Sequence, residues 1–406
     1  LDTYLGGIRN NMALDTVQNW VNGSQENYGW LIKASHATDG QQFNSSESGI
    51  SVRPRLTIRY IEGVAAPVDA VPVVNFVNPT LNNTSVTSNT FVEINASIND
   101  ANLSQVIYNW NGANFTLFND SLVLMMNFDN VSALGENDTH VVDVSGGGNN
   151  GTLGGTARAN VSGKFGSALG LDGNSDYAEI VDSSSLDIGT NSMTIEAWVY
   201  PETFGSMDEI VKKDGAYILR LSGTSGAIEG YLWADTNGNP VGPSTNLLTQ
   251  NAWNYVVMTY NTTHQQLFVN GVADATDPQI GNVDNSAINL MIGSHQNKGS
   301  EFFEGNIDEV RIWNRSLSFE EIQQNYMSNL QKFNSSQWYL YVNQSLNSTD
   351  GLVNGNYTYN VFGIDESDGF GTSGERSVSI DNVVPVVGLV NPANNTLNDT
   401  TNTINF

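Results

Sequence analysis

The 406-residue chain contains no cysteine, which rules out disulfide bridges and thiolate chemistry. Positive charge is also scarce, because 15 lysine and arginine residues stand against 42 aspartate and glutamate residues and give a net charge of −27. This balance argues against nucleic acid or an anionic membrane as a partner, and it favours divalent cations.

Long apolar runs are absent too. None approaches the roughly 20 residues that a transmembrane helix needs, so we expect no membrane insertion in this segment. The first residues, Leu1–Tyr4, lack a charged stretch followed by an apolar one, so we expect no signal peptide in this slice. HExxH, GxSxG and P-loop motifs are missing, and the histidines are scattered, at His36, His140, His264 and His295.

Asparagine is in excess, and many copies open Asn-x-Ser/Thr sequons. The surplus predicts an N-glycosylated surface protein. The alternative is that Asn-rich turns produce these triplets without any attached glycan. The candidate acceptors are Asn44, Asn83, Asn95, Asn114, Asn137, Asn150, Asn261, Asn347, Asn356 and Asn394.

One short line occurs twice. Pro72–Pro79 has the sequence PVVNFVNP, and Pro385–Pro392 repeats it as PVVGLVNP. A module that restarts in this way indicates a slice of a longer tandem array. Such arrays are typical of spacers, stalks and fibres, so a binding or structural role is expected before a catalytic one.

Two groups of short strand patterns flank a long central stretch. The first group covers Val73–Asn78, Thr90–Ile98 and Gln105–Trp110, and the second covers Trp338–Val342, Asn356–Ile364 and Arg376–Ile380. Each group has too few strands to bury two sheet faces alone, whereas both together make one immunoglobulin-like sandwich. We therefore predict one Ig-like domain with a large insertion. Two separate small domains are the alternative.

The central stretch has the clearest all-β pattern. Strand patterns are predicted over Ser121–Phe128, Thr194–Tyr200, Tyr217–Leu221, Trp253–Tyr260 and Asn306–Trp313. Asp214-Gly215 and Asn270-Gly271 suit two-residue hairpin turns. Ser318 and Glu321 form a capping box for one short helix, and the many strands with one terminal helix indicate a jelly roll.

Several motifs of this stretch resemble the concanavalin A-like, laminin G-type jelly roll, and they occur in family order. They are Asn149–Leu153, Gly163–Leu169, Leu171–Gly173, Ile195–Val199, Leu267–Gly271 and Gly305–Ser318. One departure is the Ser145–Asn150 line, SGGGNN, where the family more often has a Ser-Gly-Asn-Gly-Asn-His line. The resemblance implies a fold that lectins, adhesion modules and glucan-cleaving enzymes share.

A second resemblance covers the first sixty residues. The segments Val17–Gly23, Tyr28–Ala34 and Arg53–Tyr60 resemble the end of a DNRLRE domain, a β-sandwich module of prokaryotic surface proteins. The predicted organisation is all-β and multidomain: 1–61 the C-terminal part of a DNRLRE-like domain, 62–71 a linker, 72–118 the first half of the Ig-like domain, 119–330 the inserted jelly roll, 331–382 the second half, and 383–406 the start of a further Ig-like repeat.

Glycoside cleavage on this fold needs two carboxylates about 5 Å apart in a retaining enzyme. In related enzymes a Glu-x-Asp-x-x-Glu line places such a pair on one strand face, and the central stretch has no such line. Glu304 and Asp308 lie four positions apart, a longer span than a direct pair requires. Glu196 has no second acid two positions away. We therefore predict that the chain is not an enzyme.

Calcium is the predicted cofactor. Asp129 follows the opening strand pattern and Asp308 lies in the closing one, and the first and last strands of a jelly roll pair. Carboxylates brought together with loop carbonyls suit Ca²⁺. The resemblance supports this, since related jelly rolls hold a structural calcium near the closing-strand acid. Asp172 and Asp176 form a second acidic loop. The alternative is that these acids cap turns without a metal.

Sugar recognition typically needs an exposed aromatic ring with a few polar groups. Trp198, Trp253 and Trp313 match family core positions, which leaves Trp233 as the ligand-binding candidate, with a buried packing role as the alternative. The prediction is an extracellular, non-catalytic segment of a modular surface protein that adheres to glycans or surface proteins. The second hypothesis is a structural fibre or surface-layer subunit that self-associates and binds no small ligand.

Overall fold

A computed structural model describes residues 70–189, 192–205, 207–235, 237–346 and 350–383. The DNRLRE-like segment predicted at 1–61 lies outside the described residues, as do nearly all of the linker and of the repeat predicted at 383–406. Each structural statement below refers to the described part, whose residues belong to one compact unit.

The described residues form strands and very little helix. The first flank contains β1 (Val73–Val77), β2 (Ser85–Thr87), β3 (Val92–Asn99), β4 (Leu103–Trp110) and β5 (Ala113–Phe118). The central part contains β6 (Leu122–Met126), β7 (His140–Val141), β8 (Gly151–Gly154), β9 (Arg158–Ser162), β10 (Ser167–Asp172), β11 (Tyr177–Ile180), β12 (Met193–Pro201), β13 (Glu209–Lys213), β14 (Tyr217–Ser222), β15 (Ala227–Ala234), β16 (Asn237–Val241), β17 (Asn254–Tyr260), β18 (His264–Val269), β19 (Val272–Pro278), β20 (Leu290–Ile292) and β21 (Glu304–Trp313).

The helix α1 (Phe319–Met327) follows, and the second flank contains β22 (Ser328–Lys332), β23 (Gln337–Gln344), β24 (Gly355–Asp365), β25 (Phe370–Thr372) and β26 (Arg376–Ile380). Two short 3₁₀ turns lie at Ser132–Leu134 and Gly223–Ser225. The predicted all-β class with several sandwich sheets is confirmed. In the described part no helix is long and apolar enough to cross a membrane.

Strands from the two flanks share two sheets, and we call this pair of sheets the flank sandwich. Sheet 1 has the order β1-β3-β23-β22, and sheet 2 has the order β2-β26-β24-β4-β5 with β25 beside β24. In both sheets a strand of the first flank lies directly beside one of the second, β3 against β23 and β4 against β24. Alternate residues of these strands, such as Ile94, Ile98, Tyr108 and Val361, fill one buried core.

The second flank begins earlier in the chain than the sequence suggested. β22 runs from Ser328 to Lys332 and pairs with β23 in sheet 1, so the predicted end of the insertion at Leu330 falls inside a strand of the flank sandwich. Leu330 is directly opposite Leu340, and both side chains are buried in the flank core. The central domain is therefore taken as residues 121–327.

Two larger sheets form the central domain. Sheet 3 has the order β19-β18-β17-β12-β21-β10-β9 with β6 beside β21, and sheet 4 has the order β16-β15-β14-β13-β20-β11-β8-β7. One large apolar core, with Leu124, Val199, Leu219, Val256 and Ile312 among its members, contains residues of both sheets. As predicted, the opening strand β6 pairs with the closing strand β21.

Helix α1 starts at the predicted capping box. The Ser318 hydroxyl accepts from the Glu321 amide, and the Glu321 carboxylate accepts from the Ser318 amide. Tyr326 of α1 stacks on Trp198 of β12, with ring centroids 5.3 Å apart. The outward face of sheet 3, including Trp313, belongs to the same apolar cluster as Trp338 of the flank sandwich. That face is therefore covered.

Candidate functional site

The outward face of sheet 4 carries the site because the outward face of sheet 3 is packed against the flank sandwich. On β15, alternate residues point into the core, and the residues between them are half-buried. Glu229, Tyr231 and Trp233 occupy the outward positions. The strand period alone therefore places two aromatic rings and one carboxylate on the same exposed face.

Trp233 does not stand alone. Its ring centroid lies 4.4 Å from that of Tyr231, and the two planes meet at 46°. The Tyr231 hydroxyl donates to the Gly238 carbonyl of the neighbouring strand β16, at 3.1 Å. A Cβ at position 238 would lie 2.6 Å from Tyr231 Cε1 and 2.8 Å from Trp233 Nε1, so only glycine fits beside both rings. The pair is held as a rigid platform.

A fixed charge pair lies on the same face. Arg220 of β14 is directly opposite Glu229, and its Nη2 atom is 2.6 Å from Glu229 Oε1. Ser222 Oγ donates to the second oxygen, Glu229 Oε2, at 2.9 Å. The carboxylate and guanidinium are half-buried and oriented, so both can offer hydrogen bonds to a ligand on the rings. An aromatic platform with a few oriented polar groups suits a sugar.

The sequence did not predict a charged cluster that lies further along sheet 4. Lys212 Nζ on β13 is buried 2.8 Å from Glu209 Oε1 and 3.6 Å from Glu301 Oε2. Burial raises the pKa of Glu209 to about 8; the Lys212 ammonium opposes the shift and Glu301 adds to it. The available signal was two lysines and a glutamate within a strand whose remaining residues are apolar.

Of the acids considered for catalysis, Asp308 and Glu196 are fully buried, and Glu304 is half-buried. Glu304 accepts from Thr203 Oγ1 at 2.7 Å, while Asp308 is fully buried and accepts from the Lys164 and Phe165 amides at 2.8 and 3.1 Å. Glu209, the acid with the pKa near 8, is also fully buried, so a substrate oxygen cannot reach it. Glu196 is fully buried as well and accepts from Trp313 Nε1 and Asn325 Nδ2.

Asp129 and Asp308 lie near one another just beyond the β6–β21 ladder, where both accept from backbone amides of residues 164–167. Burial is the main cause that raises the pKa of each carboxyl, and the nearby charges of Glu309 and then of Asp129 raise the pKa of Asp308 further. Asp129 accepts from the Ser167 amide and from Gln331 Nε2. Asn127 Nδ2 donates to Glu309 Oε2 at 2.6 Å, and Asn127 Oδ1 and Glu309 Oε1 are buried with no donor in the described part.

These oxygens fit a hard cation only in part. In the described part, no three Asp, Glu or His side chains are grouped to hold a metal ion. A cation at Asp129 and Asp308 therefore needs further oxygen ligands, and both Asn127 Oδ1 and Glu309 Oε1 lack a donor in the described part.

The second acidic loop is already filled with hydrogen bonds. Asp172 Oδ1 accepts from the amides of Asn174, Ser175 and Asp176, at 2.8 to 3.1 Å. Burial alone would raise the pKa of Asp172, but these bonds outweigh it and lower that pKa. Asp176 Oδ1 in turn accepts from the Thr156 amide. This is the pattern of a capped turn, and a metal at Asp172 and Asp176 stays a prediction.

Most described sequon asparagines are exposed. Asn83, Asn114, Asn137, Asn150, Asn261 and Asn356 are in this group. Asn95 differs, because it is half-buried, its Nδ2 donates to the Asn78 carbonyl at 3.1 Å and its Oδ1 is buried. Asn44, Asn347 and Asn394 lie outside the described residues.

Of the tryptophans predicted to be in the core, Trp198 and Trp313 are buried, and Trp253 is half-buried.

Comparison with known proteins supports the fold of the central domain. Residues 172–323 match the family model described as the concanavalin A-like lectin/glucanases superfamily, in its laminin G form. The predicted jelly roll is thus confirmed for this part of the chain. No curated protein matches the chain in sequence. Lectins belong to this superfamily together with glucanases, and the fold supports a binding role.

Solved structures with similar folds are remote. The binding domain of Paraclostridial Mosquitocidal Protein 1 is 16% identical with a TM-score of 0.41, over 51% of this chain and 52% of its own. Domain 4 of AbnA, an extracellular arabinanase from Geobacillus stearothermophilus, was solved in complex with arabinotriose. It is 21% identical with a TM-score of 0.41, and the match covers 50% of this chain and 97% of that domain. The botulinum neurotoxin serotype G binding domain is 14% identical with a TM-score of 0.41, over 50% of each chain. The chain spans about half the length of the two toxin domains.

Proposed function

We propose that the chain is an extracellular, non-catalytic segment of a modular surface protein, and that its central domain adheres to glycans through the outward face of sheet 4. The observation that carries this proposal is the Tyr231–Trp233 ring pair, half-exposed and held against Gly238. A pyranose ring can bury its C–H face on the rings, while its hydroxyls bond to Arg220 and Glu229.

Several other features agree with this role. The outward face of sheet 3 is covered, whereas β15 of sheet 4 presents half-buried Glu229, Tyr231 and Trp233 away from the core. Three of the acids considered above, Glu196, Glu209 and Asp308, are fully buried, which supports binding without cleavage. The sequons agree with a glycosylated protein outside the cell.

A glycan array tests the proposal. The purified chain is expected to retain on the array, and Trp233→Ala is expected to weaken this retention without unfolding, since one ring contact is small beside the core. The matched control is Trp253→Ala, which removes another half-buried tryptophan, one that packs on Tyr200 away from sheet 4. Equal losses in both variants would contradict the assignment to the ring pair, as would release of reducing ends from a polysaccharide.

The domain organisation and the cofactor are part of the same proposal. The mixed pairing of the flanks in sheets 1 and 2 supports a single Ig-like sandwich around the central domain. We propose that Asp129, Asp308 and Asn127 Oδ1 hold a structural calcium ion. The ion supplies charge neutralisation and stability to the β6–β21 edge.

A structural fibre or surface-layer role is the second candidate. The repeat of the Pro72–Pro79 line at Pro385–Pro392 is the observation that favours it, because tandem modules build stalks. Filaments of purified chain in electron micrographs, together with no retention on any glycan, would favour this role over adhesion.

A further inference from the structure

A second cleft lies outside the central-domain face, where the end of the flank sandwich meets helix α1. We call it the junction cleft and define it by Trp110, Phe115, Tyr357, Gln323, Gln324 and Gln344. Its volume is about 370 Å³, within the range of small-ligand pockets. The position follows from strand alternation, which turns Trp110, Phe115 and Tyr357 toward the sandwich interior at its open end.

Stacked aromatic rings form one wall. The rings of Trp110 and Tyr357 lie 5.2 Å apart with an angle of 14° between their planes, and Tyr359 continues the stack at 6.3 Å from Trp110. The Tyr357 hydroxyl donates to the Val353 carbonyl at 3.0 Å, which fixes the outer ring. Trp110, Phe115 and Tyr357 are only half-buried, so part of their apolar surface remains available in the cleft.

Buried amides form the opposite wall. Gln324 of α1 is 1% exposed and Gln344 of β23 is 6% exposed. Gln344 Oε1 accepts from Tyr108 at 3.1 Å and from Gln324 Nε2 at 3.4 Å. No other described residue bonds to either side chain, which leaves Gln324 Oε1 and Gln344 Nε2 with free capacity beside the cavity. Neither atom is fully buried without a partner, so both keep contact with solvent in the cleft, where a ligand hydroxyl can take the place of water.

We propose that the junction cleft binds a neutral saccharide. An apolar ligand would leave the amide atoms without partners, whereas a sugar offers both a C–H face for the rings and hydroxyls for the amides. An acidic sugar is disfavoured, because no lysine or arginine lines the cleft in the described part and Glu320 stands at its rim. The cleft involves none of the residues of the Tyr231–Trp233 platform, so this inference does not depend on the proposed function.

The test uses the full chain titrated with lactose, cellobiose and N,N′-diacetylchitobiose, followed by calorimetry and tryptophan fluorescence. We expect at least one disaccharide to bind. Gln324→Leu should weaken the affinity for that disaccharide by about tenfold, which is the cost of one hydrogen bond. Gln323→Trp places a bulky ring at the mouth from a half-buried helix position and is expected to abolish binding. Gln105→Leu, on the outward face of β4, is the matched control and is expected to bind like wild type.

The same titration in the Trp233→Ala background separates the two sites. Binding that persists there and disappears with Gln323→Trp belongs to the junction cleft. Three outcomes overturn the inference: none of the three disaccharides binds, Gln323→Trp binds as well as wild type, or binding disappears with Trp233→Ala alone. Near-ultraviolet circular dichroism confirms the fold of each variant, and if Gln324→Leu is unfolded, Gln323→Trp decides alone.

Discussion

Ile98 on β3 lies directly opposite Trp338 on β23, in an antiparallel pair that joins the two flanks of the central domain. Both side chains are almost completely buried in the flank core, and Phe118 packs on the same indole with ring centroids 4.9 Å apart. The contact links parts of the chain that are separated by the whole central domain. The entry and exit of that domain must therefore lie close together.

We expect a chain in which 121–327 is replaced by a short Gly/Ser linker to keep a folded flank sandwich. Its sheets retain the β3–β23 and β4–β24 pairings, but it loses the packing of α1 and Trp313, so its melting temperature should be lower than that of the intact chain. Thermal unfolding followed by circular dichroism measures this. A featureless, non-cooperative transition would contradict the single-sandwich organisation, and Ile98→Asp in the shortened chain serves as an unfolded reference.

Glu196→Ala should strongly destabilise the central domain. The carboxylate accepts from the Tyr255 hydroxyl, Trp313 Nε1 and Asn325 Nδ2, and Arg311 Nη1 lies 3.6 Å away. Removing it leaves these donors buried without an acceptor, at a cost of about 3–5 kcal/mol. Denaturant unfolding measures the loss. The control Glu202→Ala changes an exposed acid and should stay within about 0.5 kcal/mol of wild type; a similarly small effect of Glu196→Ala would argue against the network.

Local sequence signals predicted most of the elements. Two predicted features depend on neighbouring residues alone, and the structure contains each of them. One is the capping box at Ser318 and Glu321, and the other is the Asn270-Gly271 turn, in which Asn270 and Gly271 have positive φ. The Trp198 and Trp313 positions, taken from the family resemblance, are indeed buried. These features need no knowledge of which strands pair.

The rest depends on partners that are distant in the chain. The Lys212–Glu301 contact joins β13 to a loop that precedes β21, and the support of Trp233 by Gly238 depends on how β15 and β16 pair. β22 has the mostly polar sequence SNLQK and becomes a strand because β23 offers it an edge. Periodicity within one segment carries no information about such pairings.

The stability of the central domain should fall as the pH rises from about 4.5 to about 8, through Glu209. Burial raises the pKa of this acid from 4.5 to about 8, so between those values the folded state binds a proton that the unfolded state has released. The destabilisation that Glu209 causes is therefore absent below about pH 4.5 and grows as the pH rises to about 8. Glu209→Gln should flatten the dependence by a few kcal/mol at most.

Denaturant melts of wild type and Glu209→Gln at pH 5, 6.5 and 8 measure this difference. Glu229→Gln changes a half-buried acid on the same sheet whose charge is paired with Arg220, and it provides the matched control. Parallel pH profiles for wild type and Glu209→Gln would show that Glu209 does not titrate in this range in the folded state.

Chelation should lower the melting temperature of the intact chain if calcium occupies the Asp129–Asp308 position. An ion bound only to the folded state stabilises it by mass action, by about 2.7 kcal/mol at a free concentration one hundred times its Kd. The difference between melts with excess Ca²⁺ and with EDTA should vanish in Asp308→Ala. Asp172→Ala is the informative comparison, because that carboxylate already accepts amide hydrogen bonds in its turn and its loss should leave the calcium effect intact. Identical wild-type melts in EDTA and in Ca²⁺ would reject the calcium site. A calcium effect that survives Asp308→Ala and disappears in Asp172→Ala would instead place the ion at the Asp172–Asp176 loop.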